Sequence, residues 1–257
     1  EEVATLEERT EGWIVGLQMA ALSMQGRNDV AGFIRAFSGS HRYILDYLVE
    51  EVLNQQSRNV QEFLLKTSIL DRMTAPLCNA VMGGERELPA SQSETCGERE
   101  SLTHLERANL FLVPLDDERR WYRYHHLFAD LLRNRLGQRY PDQVPALHRR
   151  ASAWYESQGQ IVEAVGYALA AGDVTLIERL VAENALAVIY HGELATVVRW
   201  LDALPDDVMR ARPRLCVTYA WTLAYAGHLD RVEPLLHDAE KALTEPEGHI
   251  AAIRAYV

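Results

Sequence analysis

Three glycines set the strongest constraint on what this chain can fold into. Gly159, Gly192 and Gly227 stand 33 and 35 residues apart. Each follows an aromatic-containing helical pattern and precedes an apolar residue two positions on: Ile161, Leu194 and Leu229. A period of about 34 residues is the mark of helix–turn–helix repeats. Glycine at each turn permits the backbone reversal between paired helices. One such hairpin cannot bury its apolar face alone, so the spacing predicts stacked antiparallel helix pairs from 141 to 257. The aromatic residues of these repeats (Trp154, Tyr155, Tyr190, Trp200, Tyr219, Trp221 and Tyr225) are expected to pack between neighbouring helices. Sugar binding by one or two of them stays open.

A different pattern precedes the repeats. Residues 57–70 read as a helix capped by Ser57, and 74–83 as a short helix with Thr74 as cap and Gly83 as stop. Residues 84–100, "GERELPASQSETCGERE", are too polar to bury a face and read as a loop. "ESLTHLERANL" resumes the helix. "FLVPL", "DDER" and "RWYRY" then read as strand, turn and strand, with Pro114 suited to an edge strand. "HHLFADLLRNRL" follows at once as a helix, with Leu127, Phe128, Leu131 and Leu132 on its apolar face. Three helices, a hairpin and a helix over 57–140 make the pattern of a winged helix. Residues 1–56 read as further helices, meeting near Thr10 to Gly12 and including an amphipathic one over 41–54. "GQRYPDQVP" has the prolines and glycine of a boundary, near 138–144. The expected fold is therefore mainly α: a helical domain, a winged helix with one β-hairpin, then a TPR-like α-solenoid of helix pairs.

Composition excludes several functions. The net charge is −11, which argues against a broad nucleic-acid-wrapping surface. Three widely spaced cysteines, with no C-x-x-C pair, support neither a zinc site nor a disulfide framework, and point to reduced thiols in the cytoplasm. No apolar run is long enough to span a membrane. The opening without Met and the end inside a helical pattern read as a segment of a longer protein.

The chemistry-bearing candidates gather in the hairpin. His125 and His126 sit side by side at the start of a helix, where free backbone N–H groups attract anions. With only distant His148 in addition, no metal-ligand set forms. Arg119, Arg120, Arg123, Arg133 and Arg135 form a local basic stretch that could contact phosphates. Asp116, Asp117, Glu118 and Asp130 dilute it, so a solvated wing is favoured over a DNA-reading one. Asp46, Glu50 and Glu51 are a solvated helix face and carry no catalysis. No G-x-x-x-x-G-K-[S/T] phosphate loop occurs, so ATP hydrolysis by this chain is not expected.

"RTEGWIVGLQMAALSM", "YLVEEVL", "FLLKTSIL", "LERANLFLVPLDDERRWYRYHHLFADLLR" and "LHRRASAWYESQGQIVEAVGYALAAGD" together resemble the MalT-like large regulators of the LuxR type, signal-transduction ATPases with numerous domains. The five blocks occur in that family's order. The resemblance implies that 1–56 is the end of a helical lid, 57–140 the winged helix, and 141–257 an arm and the first repeats. It implies a nucleotide-binding domain and a C-terminal DNA-binding helix-turn-helix outside this sequence, with ATP or ADP as cofactor of the parent. An inducer, small molecule or protein, is expected at the repeats. It assigns His125 a contact to the β-phosphate of ADP. His126 departs from relatives that carry Pro there, which lowers its expected importance. Arg9 in "RTEGW" is a weaker nucleotide candidate, and Trp13 is expected in the lid core. The alternative is a winged-helix DNA-binding protein with a TPR-like interaction solenoid.

Overall fold

The computed structural model describes residues 53–83, 102, 105, 111–242 and 248–256. The expected lid helices up to residue 52, Arg9, Trp13 and the expected loop over 84–100 lie outside these. The chain divides into two compact units, 1–147 and 148–257. Among the described residues no helix is long and apolar enough to cross a membrane.

In the first unit, α1 (Arg58–Thr67) starts as its sequence predicts, with the Ser57 hydroxyl accepting from the Val60 N–H. It ends at Thr67, before the expected 70, because Ser68 turns its N–H onto Leu65 O and Leu70 onto Thr67 O. Helix α2 (Ala75–Met82) is capped by Thr74 and stopped by Gly83, whose φ of 97° is open to glycine at little cost. Leu102 and Leu105 are helical and buried. Strands β1 (Leu112–Pro114) and β2 (Tyr122–Tyr124) pair antiparallel, with Leu112 opposite Tyr124 and Pro114 opposite Tyr122. Pro114 has no N–H to donate, and it sits on the outer strand. The Asp116 carboxylate closes the turn by accepting from the Arg120 N–H at 2.7 Å and the Trp121 N–H at 3.3 Å.

Met73 adds an edge that no periodicity announces. It exchanges backbone hydrogen bonds with Tyr122 at 2.7 and 2.9 Å, so β2 lies between β1 and the link from α1 to α2. The alternation of β2 then turns Tyr122 and Tyr124 inward, to 1% and 3% exposure. Helix α3 (His126–Arg139) buries Leu127, Phe128, Ala129, Leu131, Leu132 and Leu136 against this core. At about 1.5–3 kcal/mol for each large apolar side chain, that stripe outweighs anything at the helix start.

The second unit is a stack of helix pairs. Helices α4 (Val144–Ser157) and α5 (Ile161–Ala171) form the first, and α6 (Val174–Tyr190) and α7 (Leu194–Asp202) the second. A short α8 (Asp206–Arg210) precedes α9 (Pro213–Tyr225) and α10 (Val232–Ala242), the third pair. Helix α11 (Gly248–Tyr256) packs on α9. The three periodic glycines occupy the three within-pair turns with φ of 71°, 86° and 78°. Their hydrogen bonding repeats as well. Gln160, Glu193 and His228 donate N–H to Tyr155, Val188 and Leu223 carbonyls, five residues back, while each glycine donates three residues back. This is one helix-ending motif used three times.

The repeat aromatics divide. Tyr155, Trp200 and Tyr219 are core residues as expected. Tyr190 and Tyr225 are not: each ends its helix, and they are 82% and 43% exposed.

Candidate functional site at the hairpin-to-helix corner

The corner is built from the hairpin upward. Beyond β2, His125 continues the strand pairing by donating its N–H to Phe111 O at 2.7 Å. Its own carbonyl then accepts from the Phe128 and Ala129 N–H groups at 3.0 and 2.9 Å and starts α3. His125 is thus the last strand-like residue and the helix N-cap, with φ −54° and ψ 133°. Its side chain makes no capping bond to the helix. The ring stacks on His126 at 4.8 Å and meets the Phe111 ring edge-on at 6.1 Å. Phe111 also packs on Phe128 at 5.3 Å. His125 is 7% exposed, with Nδ1 buried.

Phe111 holds φ at 55°, a left-handed value that costs a bulky residue about 1–2 kcal/mol. Nothing in its residue type announces this. The conformation aims Phe111 O at the His125 N–H while its ring covers His125 and Phe128.

The basic stretch does not act as one patch. Arg120 pairs with Glu118 and, at 3.7 Å, with Asp116, both on the same turn. Arg133 donates to Ser68 O at 2.8 Å and to Asp71 at 2.9 Å, tying α3 to the end of α1. That carbonyl is one of those a helix end leaves open, and a cation suits it. Arg123 donates to Tyr124 O at 3.3 Å. Trp121 lies under the Arg72 guanidinium at 4.8 Å.

The anchor beneath the corner is a buried hydroxyl pair. Thr67 Oγ1 donates to Phe63 O at 2.7 Å, so in the 2.7 Å contact with Tyr124 the tyrosine is the donor. Burial holds the Tyr124 phenol well above its usual range. Met73 and this Thr67–Tyr124 pair were beyond sequence reasoning, because a single paired residue or a 57-residue contact leaves no local pattern.

Among the described residues no His, Cys, Asp and Glu cluster could hold a metal. Cys78 and Cys216 are buried free thiols, and burial pushes Cys216 up to about 11. A nucleotide fits the corner in one respect: a helix start with a histidine suits a phosphate oxygen. Among the described residues the corner offers that single contact and no cradle.

The model of the MalT winged helix domain matches residues 49–144. The chain is 33% identical, over 99% of its length, to serine/threonine-protein kinase PknK of Mycobacterium tuberculosis, and spans 22% of that protein. It is 34% identical, over 96% of its length, to the HTH-type transcriptional regulator MalT of Klebsiella pneumoniae subsp. pneumoniae, spanning 27% of it. The corresponding regulator of Yersinia pestis is 32% identical over 93% of the chain, which spans 25% of it. The chain therefore covers about a quarter of these relatives. It contains no H-R-D or D-F-G motif.

Proposed function

Residues 49–144 of this chain belong to the MalT winged helix domain family, and we propose that the chain is the coupling segment of a MalT-like transcription regulator in the cytoplasm. The winged helix reports the nucleotide state of a domain outside this sequence. The helix pairs receive an inducer. DNA binding belongs to a further module outside this sequence. Relatives named for two different outputs, a kinase and a transcription regulator, align with nearly the whole chain. A segment shared between different outputs is better suited to control than to either reaction.

The observation that carries the reading is the position of His125. The hairpin ladder fixes its backbone, and the N-terminus of α3 lies directly behind it. An ADP phosphate brought to this point meets both the partial positive charge of the helix start and the imidazole of His125. That contact ties the winged helix to the nucleotide and favours the closed, inactive form. It does so only by as much as the closed form binds ADP better than the open form. On this reading ATP or ADP is the cofactor of the complete regulator, and this chain supplies no catalysis.

In a promoter-reporter assay of the complete regulator, His125→Ala should raise inducer-independent transcription. His126→Ala should do so much less. Unchanged basal transcription for His125→Ala at equal protein level would count against the reading. Ion pairing of Arg120 with Glu118 and of Arg133 with Asp71 disfavours DNA contact through the wing.

A further inference from the structure

Three of the five exposed large apolar side chains in the described residues share one place. Leu186, Tyr190 and Tyr225 line a groove of about 800 Å³ between α6 and α9. Trp221 lies in the same wall and stacks on Tyr225 at 5.7 Å. Clustered apolar exposure of this kind marks a binding surface more than chance.

The polar part of the groove says what would bind. Arg214 lines it and makes no ion pair among the described residues. Arg179, Arg212, Arg231 and Arg254 of the same unit each hold a carboxylate. Glu183, the acid of the groove, is already held by Arg179 at 3.2 Å. An uncharged ligand covering Arg214 would leave a guanidinium desolvated and unpaired, so an anion is favoured. Arg214 is the second residue of α9 and Tyr225 the last. At 1.5 Å per residue the groove separates its cation from its aromatic end by roughly 16 Å, several times a single ring. Extended backbone covers that span in about five residues. Thr218 lies between the two ends. Its hydroxyl donates to Arg214 O at 2.9 Å, which leaves its oxygen able only to accept, as a backbone N–H requires.

We propose that this groove binds an extended peptide segment of a partner protein, with a carboxylate on Arg214 and a bulky apolar or aromatic side chain against Trp221 and Tyr225. The inference gives the chemistry of the input assigned to the helix pairs above. It rests on that reading only for its consequence, because binding is measured on this chain itself.

The test pans the full chain against displayed random peptides and titrates synthetic forms of those recovered. Recovered peptides should carry an acid four or five positions from an aromatic or branched apolar residue. Arg214→Glu should weaken them by about tenfold or more, the size expected for a charged hydrogen bond. Replacing the peptide acid by its amide should cost as much on the native chain and almost nothing on Arg214→Glu. Tyr190→Ser should weaken binding several-fold while the fold stays intact, since Tyr190 is largely exposed. Arg199→Glu, on α7, should change nothing. No enrichment, peptides without an acid, or equal affinity for Arg214→Glu would overturn the proposal. So would a neutral oligosaccharide that binds the native and Arg214→Glu chains equally, which would mark a stacking site for uncharged ligands. Loss of this binding beside an intact effect of His125→Ala sinks the groove alone; the reverse pair of results sinks the regulator reading alone.

Discussion

His125 donates its backbone N–H to the carbonyl of Phe111 across 2.7 Å, closing the hairpin at the residue where α3 begins. The bond uses only main-chain atoms. It survives His125→Ala, as does the apolar stripe of Leu127, Phe128, Leu131 and Leu132. Removal of the His125 ring therefore tests what the ring contacts and leaves the corner standing.

The hydroxyl pair under the corner has a direction, and the direction is measurable. Tyr124→Phe removes a donor, and Thr67 keeps its bond to Phe63 O. Thr67→Val removes the acceptor and leaves the Tyr124 hydroxyl buried with no place to donate. Urea unfolding should show about 1 kcal/mol lost for Tyr124→Phe and up to about 3 kcal/mol for Thr67→Val. Equal costs would contradict the assigned donor.

Glycine plays two roles in the repeats. An added Cβ at Gly192 meets nothing within 4 Å, so Gly192→Ala is opposed by its φ of 86° alone. The expected loss is about 1–2 kcal/mol. Gly166, exposed within α5, also has open space and no positive φ, so Gly166→Ala should stabilise by about 0.5–1 kcal/mol. Thermal melts that move the same way for both substitutions would refute the distinction.

The network of Tyr219, Asp202 and Arg231 gives the second unit a stability limit at each end of the pH scale. Burial first, then the hydrogen bond to Asp202, pushes the Tyr219 phenol up to about 12, above the ordinary value near 10. A raised acid is stabilising while both states stay protonated, below pH about 10, and that stability is lost as pH climbs to about 12. The Asp202 carboxyl is held below its ordinary value, first by the Tyr219 hydrogen bond and then by Arg231. Its contribution is present above the unfolded carboxylate range, near pH 4, and fades as pH falls below it. Tyr219→Phe should remove the alkaline loss and shrink the acid one. An unchanged alkaline limb by circular dichroism would contradict the network.

Much of this fold is legible in residue type and spacing, where a local rule governs the backbone. Ser57, Thr74 and Gly83 mark helix ends, and Gly159, Gly192 and Gly227 mark the reversals of the helix pairs. Pro114 marks an outer strand. The corner is less legible because distant residues fix it. Met73 pairs with Tyr122 and Thr67 with Tyr124, the latter across 57 residues, and such contacts leave no periodicity to read. Arg133 looks like part of a basic patch in the sequence and is a tie to the end of α1 in the fold. Tyr190 and Tyr225 carry the repeat's aromatic signature and yet face outward, because burial at a helix end depends on what packs beside it.

The most direct test of the nucleotide contact is the rate at which the complete regulator releases bound ADP. Couplings of this kind are worth roughly 5–150-fold. His125→Ala should speed ADP release within that range while His126→Ala stays close to the parent rate, both with unchanged circular dichroism. An ADP release rate for His125→Ala equal to that of the parent, in a folded protein, would contradict the contact and make the corner histidine a packing residue.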